Sequence, residues 1–140
     1  TVTAPAARLL ATWLGAPLTD VAAIRTRQEQ VQYFLEVEML RTQVRHFLKS
    51  APDSERALTR LTMGRGGPRD LLFIAAALKA AHHVRLLLER QEQPGLPEAL
   101  AAVRDALSGH ESLIELLVSG IRPECGIFAR DGNFIAENYH

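Results

Sequence analysis

The longest continuous pattern in the chain reads PRDLLFIAAALKAAHHVRLLLER and covers residues 68–90. Its apolar residues recur at a nearly heptad step with further apolar positions beside them, the set being Leu71, Ile74, Leu78, Ala81 and Leu88 with Leu72, Val84 and Leu87. Pro68 suits the first turn of a helix, because its missing N–H would have no partner there. We therefore predict one long helix, a rod of about 30 Å at roughly 1.5 Å of rise per residue.

Shorter helical patterns lie on both sides of this stretch. They are separated by helix-breaking or capping residues such as Gly15 with Pro17, Asp20, and Pro52 with Asp53. The predicted helices cover residues 4–14, 21–35, 38–47, 54–63, 97–107 and 111–120. The sequence thus predicts six or seven helices in all.

The last residues differ in pattern from the rest of the chain. Asp131-Gly132 lies between two short apolar runs, Ile127-Phe128 and Phe134-Ile135, and such an arrangement predicts a β-hairpin. The predicted fold class is therefore an all-α helical bundle with one long helix and a short C-terminal β-hairpin. We predict that residues 1–122 form the helical part and that residues 123–140 form a hairpin or connecting segment.

The composition is that of an ordinary soluble domain. The chain has 140 residues, of which 47% are hydrophobic and 23% charged, and its formal net charge is +0. This balance argues against a large phosphate-tracking surface and leaves room for a small local patch. With Cys125 as its single cysteine the chain cannot form an internal disulfide, and we expect no apolar run long enough to span a bilayer.

Both ends resemble cut points in a longer polypeptide. The chain begins at Thr1 with no initiator Met and no secretory signal pattern, and it ends at Tyr139-His140. We therefore expect a cytoplasmic protein of which this chain is one piece.

Two stretches of the sequence carry a pattern that indicates a family. The first comprises Arg8-Leu9-Leu10, Trp13-Leu14, Pro17-Leu18-Thr19-Asp20, Ile24, Arg27-Gln28 and Val31. The second comprises Asp53-Ser54-Glu55-Arg56, Leu58, Arg60-Leu61, Gly64-Arg65 and Pro68-Arg69-Asp70-Leu71. In the same order and at the same separation, they resemble the opening of the core (lever) domain of MutS proteins, the DNA mismatch-recognition ATPases. The tail is similar to the segment that follows in those proteins, through Arg130-Asp131-Gly132, Ile135 and Tyr139. It departs from the family at Asn133 and Asn138, where a Gly is usual, and in the loop of residues 122–126.

The resemblance implies a mechanical role. In MutS dimers the core domain connects the nucleotide-binding domain to the clamp that grips DNA, while mismatch reading and ATP binding belong to other domains. We therefore expect no catalytic residue, no cofactor site and no metal site in this chain, with ATP and Mg bound elsewhere in the full-length protein. We expect DNA to be contacted through other domains, the full-length protein to be a homodimer, and no membrane partner. The helices that return in the family are missing here, so self-association of the isolated chain through uncovered apolar faces is also expected.

Four arginines form a local basic group at residues 56–69, namely Arg56, Arg60, Arg65 and Arg69. They have two interpretations, contact with DNA phosphate or pairing with the nearby carboxylates of Asp53, Glu55 and Asp70. We favour structural pairing. The glycine cluster between them precedes a helix, as phosphate-binding loops do, but it lacks a Gly-Lys-Ser/Thr ending and is better interpreted as a structural hinge.

Other candidate residues favour structural roles. Adjacent His82 and His83 point in different directions on a helix and make a poor metal-binding pair. Trp13 is interpreted as a core anchor rather than a base-stacking platform. Two rival functions stay open: a free-standing helical module whose apolar groove binds a partner helix, and an enzyme that binds a phosphorylated ligand at the Gly-Arg loop.

Overall fold

The computed structural model describes residues 1–92, 94–137 and 139. Within these residues it contains seven α-helices, one 3₁₀ helix and no strand, which confirms the predominantly helical class. The α-helices are α1 (Ala4–Gly15), α2 (Val21–Glu36), α3 (Glu38–Ser50), α4 (Ser54–Thr62), α5 (Pro68–Glu89), α6 (Glu98–Ala106) and α7 (Glu111–Gly120). The long helix predicted from residue 68 is α5.

Local capping chemistry explains where several helices begin. The Thr3 hydroxyl accepts a hydrogen bond from the backbone N–H of Ala6 at 3.2 Å. The carboxylate of Asp20 accepts from Ala23 N–H at 2.8 Å, and that of Asp53 accepts from Arg56 N–H at 3.2 Å. Each side chain satisfies an N–H that has no partner within its own helix. The helix starts were predictable because this chemistry lies within a few residues.

The chain forms two compact units, each containing parts distant in sequence. The first unit comprises Thr1–Ser50 with Ala81–Ser108, and the second comprises Ala51–Ala80 with Gly109–His140. Residues 68–80 of α5 therefore belong to the second unit and residues 81–89 to the first. The separation of residues 123–140 from residues 1–122, expected from the sequence, stays a prediction.

The core of the first unit is built from α2, α3, α5 and α6. Its buried residues are Tyr33, Leu40, Val44, Val84, Leu88 and Leu100. The Tyr33 hydroxyl donates to the Pro94 carbonyl at 3.2 Å, and burial raises the pKa of that phenol. At the edge of this core, the ring of His83 stacks on Phe47 with centroids 4.7 Å apart. Residues of α5 thus belong to a close-packed interior.

Small side chains fill much of the buried interior of the second unit. Ala57, Ala75 and Ala80 are buried, as are Ile121 and Cys125. Alanines permit close approach of the helices that carry them, so this unit depends on backbone proximity more than on large side chains. The thiol of Cys125 lies within this packing.

By length and composition, α5 could cross a membrane, so the expectation that no apolar run is long enough was wrong. One such helix is weak evidence of a membrane span, because core helices of soluble proteins pass the same test. Val84 and Leu88 of α5 lie in the core of the first unit.

The predicted C-terminal β-hairpin is wrong. The Arg122 N–H donates to the Phe134 carbonyl at 2.8 Å, and the Ala136 N–H donates to the Gly120 carbonyl at 3.0 Å. The segment of residues 134–136 therefore pairs with residues 120–122, as one isolated antiparallel bridge between Ile121 and Ile135. It does not pair with residues 127–130 across the Asp131-Gly132 turn.

Hydrogen bonds within the turn and from Arg122 hold these residues in a conformation other than a hairpin turn. The residues Ala129–Asp131 form a 3₁₀ helix, in which the Asp131 N–H donates to the Phe128 carbonyl at 3.1 Å. Asn133 adopts a left-handed φ of 53°, stabilised by a hydrogen bond from Arg122 Nη1 to its Oδ1 at 2.7 Å. The second departure from the family pattern, Asn138, lies outside the described residues.

Candidate functional site at the glycine-rich turn

The segment between α4 and α5 is a tightly packed turn. Gly64, at a φ of 68°, follows α4 in a conformation that favours glycine, and the Arg65 N–H returns to the Arg60 carbonyl at 2.8 Å. A Cβ on Gly66 would lie 2.7 Å from the Leu61 side chain, and a Cβ on Gly67 would overlap the carbonyl oxygen of Ile127. The glycines predicted to form a hinge thus allow close packing of backbone against its neighbours.

Asp70, in the first turn of α5, holds this turn together. Its carboxylate is buried and accepts hydrogen bonds from Gly67 N–H at 3.1 Å and from Arg60 Nε at 3.0 Å. A second donor of the Arg60 guanidinium, Nη2, also contacts Asp70 Oδ1. The carboxylate therefore joins α4, the turn and α5 through charge-assisted hydrogen bonds.

The electrostatics of this pair favour the charged forms. The hydrogen bond from Arg60 lowers the pKa of Asp70, with a further contribution from the Gly67 N–H, although burial acts in the opposite direction. The same hydrogen bond raises the pKa of Arg60. Asp70 is therefore a carboxylate at neutral pH, and its charge is balanced by Arg60.

The structure gives the four predicted arginines different surroundings. Arg60 pairs with Asp70, and Arg56 Nε lies 3.7 Å from Asp53 Oδ2. Arg65 and Arg69 are exposed, and within the described part of the chain their side chains have neither a hydrogen bond nor an ion pair. Phosphate contact by the four arginines stays a prediction, and it now rests on Arg65 and Arg69.

The turn itself does not have the donors of a phosphate-binding loop. The Gly67 N–H is occupied by Asp70, and Pro68 has no N–H to offer. The buried carboxylate of Asp70 already occupies a backbone donor that a bound phosphate would need. The structure thus supports a structural role for the glycines, as favoured from the sequence.

Sequence reasoning missed that Asp70 caps its own helix. It treated Asp70 only as one of three carboxylates near the arginines. A local signal was present, because an acidic residue three positions after a helix N-cap can reach back to the N-cap N–H. Gly67 and Asp70 have this spacing.

A second feature is an apolar cleft on α1 and α2 in the first unit. Its volume is about 880 Å³, and its lining includes Leu10, Trp13, Leu14, Leu18, Ile24 and Val31. Trp13 is 39% exposed, so its prediction as a core anchor was wrong. The guanidinium of Arg27 lies 3.7 Å from the centroid of its ring, a cation–π contact. The sequence pattern identified an apolar face but not what covers it.

The remaining candidate residues do not converge on a site. The rings of His82 and His83 have centroids 6.2 Å apart and planes at 71°, so they do not face a common point. Among the residues that the structure describes, no group of three or more His, Cys, Asp or Glu could hold a metal ion. The geometry therefore directs attention to the arginines of the turn and to the cleft.

Comparison with known proteins decides the family. The family model described as MutS domain III matches residues 1–138. The chain belongs to the MutS domain III family. This confirms the resemblance drawn from the two motif stretches and the tail.

Relatives of this MutS domain III chain align with it over nearly its whole length. The DNA mismatch repair protein MutS of Dinoroseobacter shibae is 41% identical over 140 residues, covering 100% of this chain and 16% of the relative. The proteins of the same name from Rhodopseudomonas palustris strain BisB5 and Caulobacter vibrioides are each 42% identical, covering 99% and 97% of this chain. The chain spans only 15–16% of the length of these relatives.

Proposed function

We propose that this chain is the connecting helical segment of a DNA mismatch-recognition ATPase, where it couples a nucleotide-binding domain to a DNA clamp. The support is the family match over residues 1–138 together with relatives named DNA mismatch repair protein MutS. In this proposal the chain performs no catalysis of its own, ATP and Mg are bound elsewhere, and the full-length protein is cytoplasmic, homodimeric and bound to DNA.

The observation that carries the mechanical part of the proposal is that α5 contributes residues to both compact units. A continuous helix keeps its hydrogen bonds when it is displaced, so movement at one end reaches the other, provided that the helix is packed along its length. In α5 the buried residues Ala75 and Ala80 lie in the part belonging to the second unit, and Val84 and Leu88 lie in the core of the first. Both parts of the rod are therefore anchored.

A free-standing interaction module is the alternative, and the apolar cleft on α1 and α2 is the feature that would serve it. It is not favoured, because the relatives continue well beyond the matched region. Sequencing the coding region past residue 140 separates the two. A clamp insertion, returning helices and a Walker motif would support the connecting role, whereas a stop codon directly after residue 140 would contradict it.

A biochemical test uses the 140-residue chain itself. Purified chain is incubated with ATP, and its binding to paired and mismatched duplexes is compared under the same conditions. The proposal predicts no ATP turnover above the buffer rate and no preference for the mismatch. Measurable turnover, or melting that shifts with nucleotide concentration, would contradict the proposal and favour an enzyme that uses the Gly-Arg loop.

A further inference from the structure

We propose that Arg65 and Arg69 contact the phosphodiester backbone of DNA, and that Arg56 and Arg60 instead stabilise the fold. This inference rests on the proposed function, which brings DNA to the protein that carries this segment. The four arginines at residues 56–69, which form one basic group in the sequence, thus have two different roles.

The division follows from the partners of each guanidinium. Arg60 gives two donors to the buried carboxylate of Asp70, so its charge is balanced by that carboxylate. Arg56 lies beside Asp53, which also caps α4. Moving Arg60 to a phosphate would leave the buried carboxylate of Asp70 without the counter-charge that Arg60 supplies, which is costly.

Arg65 and Arg69 lie exposed at the two ends of the glycine-rich turn. They are four residues apart, so their Cα atoms are at most about 15 Å apart at ~3.8 Å per residue. Their side chains make no hydrogen bond or ion pair to the described residues, and a guanidinium can bind phosphate oxygens through two parallel donors. The two charges are thus available for an external anion.

The backbone that carries these two arginines is fixed before any ligand arrives. Arg65 N–H is bonded to the Arg60 carbonyl, and Asp70 fixes the residue before Pro68 through the Gly67 N–H. Gly67 is packed against the Ile127 carbonyl. A rigid base lowers the entropy lost when the side chains bind, which favours a contact with only two charges.

The test measures DNA affinity of the full-length protein as a function of salt. Each phosphate contact contributes about −0.9 to the slope of log Kobs against log salt concentration, so the double variant Arg65→Gln/Arg69→Gln should lower the magnitude of the slope by about 1.8. The matched control is Arg45→Gln/Arg90→Gln, which removes two exposed arginines of the first unit and should leave the slope unchanged. Arg60→Gln should lower the melting temperature and leave the slope unchanged.

Each other outcome overturns the inference. If the salt slope of Arg65→Gln/Arg69→Gln equals that of its control, the phosphate contact is excluded. If the slope is unchanged and the melting temperature of the full-length protein is lowered, the result would point to an acidic protein surface as the partner of these two arginines. A slope changed by Arg60→Gln would show that the arginines are divided wrongly. Release of DNA by ATP, measured on the same preparations, is independent of these outcomes and reports on the proposed function.

Discussion

Replacing Asp70 by Asn tests whether this carboxylate holds the glycine-rich turn. The side chain is buried and accepts from Gly67 N–H at 3.1 Å and from Arg60 Nε at 3.0 Å. An Asn keeps one oxygen acceptor, but its NH₂ group would face either the Gly67 N–H or the Arg60 guanidinium, both of which are donors. The negative charge opposite Arg60 is also lost. Hydrogen bonds to charged groups contribute about 1.5–3 kcal/mol each to the free energy of unfolding. Because the Arg60 side chain is 44% exposed, we expect the lower part of this range.

The expected loss is therefore ~2 kcal/mol, or a fall in melting temperature of roughly 5–8 °C for a chain of this size. Urea unfolding of the 140-residue chain followed by far-ultraviolet circular dichroism measures it. The matched control is Asp105→Asn, which removes an exposed carboxylate that pairs with its neighbour Arg104 at 2.8 Å and should leave the unfolding midpoint unchanged.

The pH dependence of the same variant tests the contribution of the charged Asp70 carboxylate. The pKa of Asp70 is lower in the folded chain than its ordinary value of 3.8, so its stabilisation is present above that value and is lost as the pH falls through the folded pKa. The difference between the original chain and Asp70→Asn should be constant near neutral pH and shrink below about pH 4. Equal stability of Asp70→Asn and Asp105→Asn at neutral pH would refute the role assigned to Asp70.

Three further predictions concern packing and exposed surface. Gly67→Ala introduces a methyl group that overlaps a neighbouring carbonyl and should cost about 1–3 kcal/mol in thermal unfolding, whereas Gly15→Ala, with nothing within 4 Å of its Cβ, should cost nothing measurable. Leu40→Ala empties a site that is 2% exposed and should cost ~2–5 kcal/mol in urea unfolding, and Met39→Ala, at 75% exposed, should stay within about 0.5 kcal/mol. The isolated chain should self-associate in light scattering through the cleft on α1 and α2, and Leu14→Glu should reduce this; a chain that is monomeric at high concentration would contradict it.

The sequence predicts the helices well because their signals are local. Asp20 and Asp53 cap their helices through hydrogen bonds to N–H groups three residues ahead. Pro68 begins α5, and α7 has the predicted bounds of Glu111–Gly120. In each case the decisive contact lies within a few residues, where spacing and residue type suffice.

The sequence fails where a distant partner decides the structure. Asp131-Gly132 has the composition of a hairpin turn, yet the bond from Arg122 N–H to Phe134 joins the tail to the end of α7 instead. Trp13 lies on a recognisable apolar face, but α1 contributes no buried residue, because the pattern does not say which surface covers that face. Helical periodicity identifies an apolar stripe without its partner.

The candidate site shows the same division. The basic group is evident from the sequence, and so are the three carboxylates beside it. Which arginine pairs with which carboxylate depends on how α4 and α5 approach each other, and only the structure assigns Arg60 to buried Asp70 and leaves Arg65 and Arg69 exposed. The surroundings of each charge, rather than its presence, decide its role.

The coupling role that we propose for α5 is tested most directly by the rate at which the full-length protein releases mismatched DNA with and without ATP. A proline at Ile74 or Leu78 removes a backbone hydrogen bond and kinks α5 within the part that belongs to the second unit. The control, Val21→Pro, places proline in the first turn of α2 after the extended residue Asp20, where it is tolerated. We predict that Ile74→Pro and Leu78→Pro lose the acceleration of release by ATP while nucleotide affinity and the control stay unchanged. Acceleration by ATP that is undiminished in both variants would contradict the account.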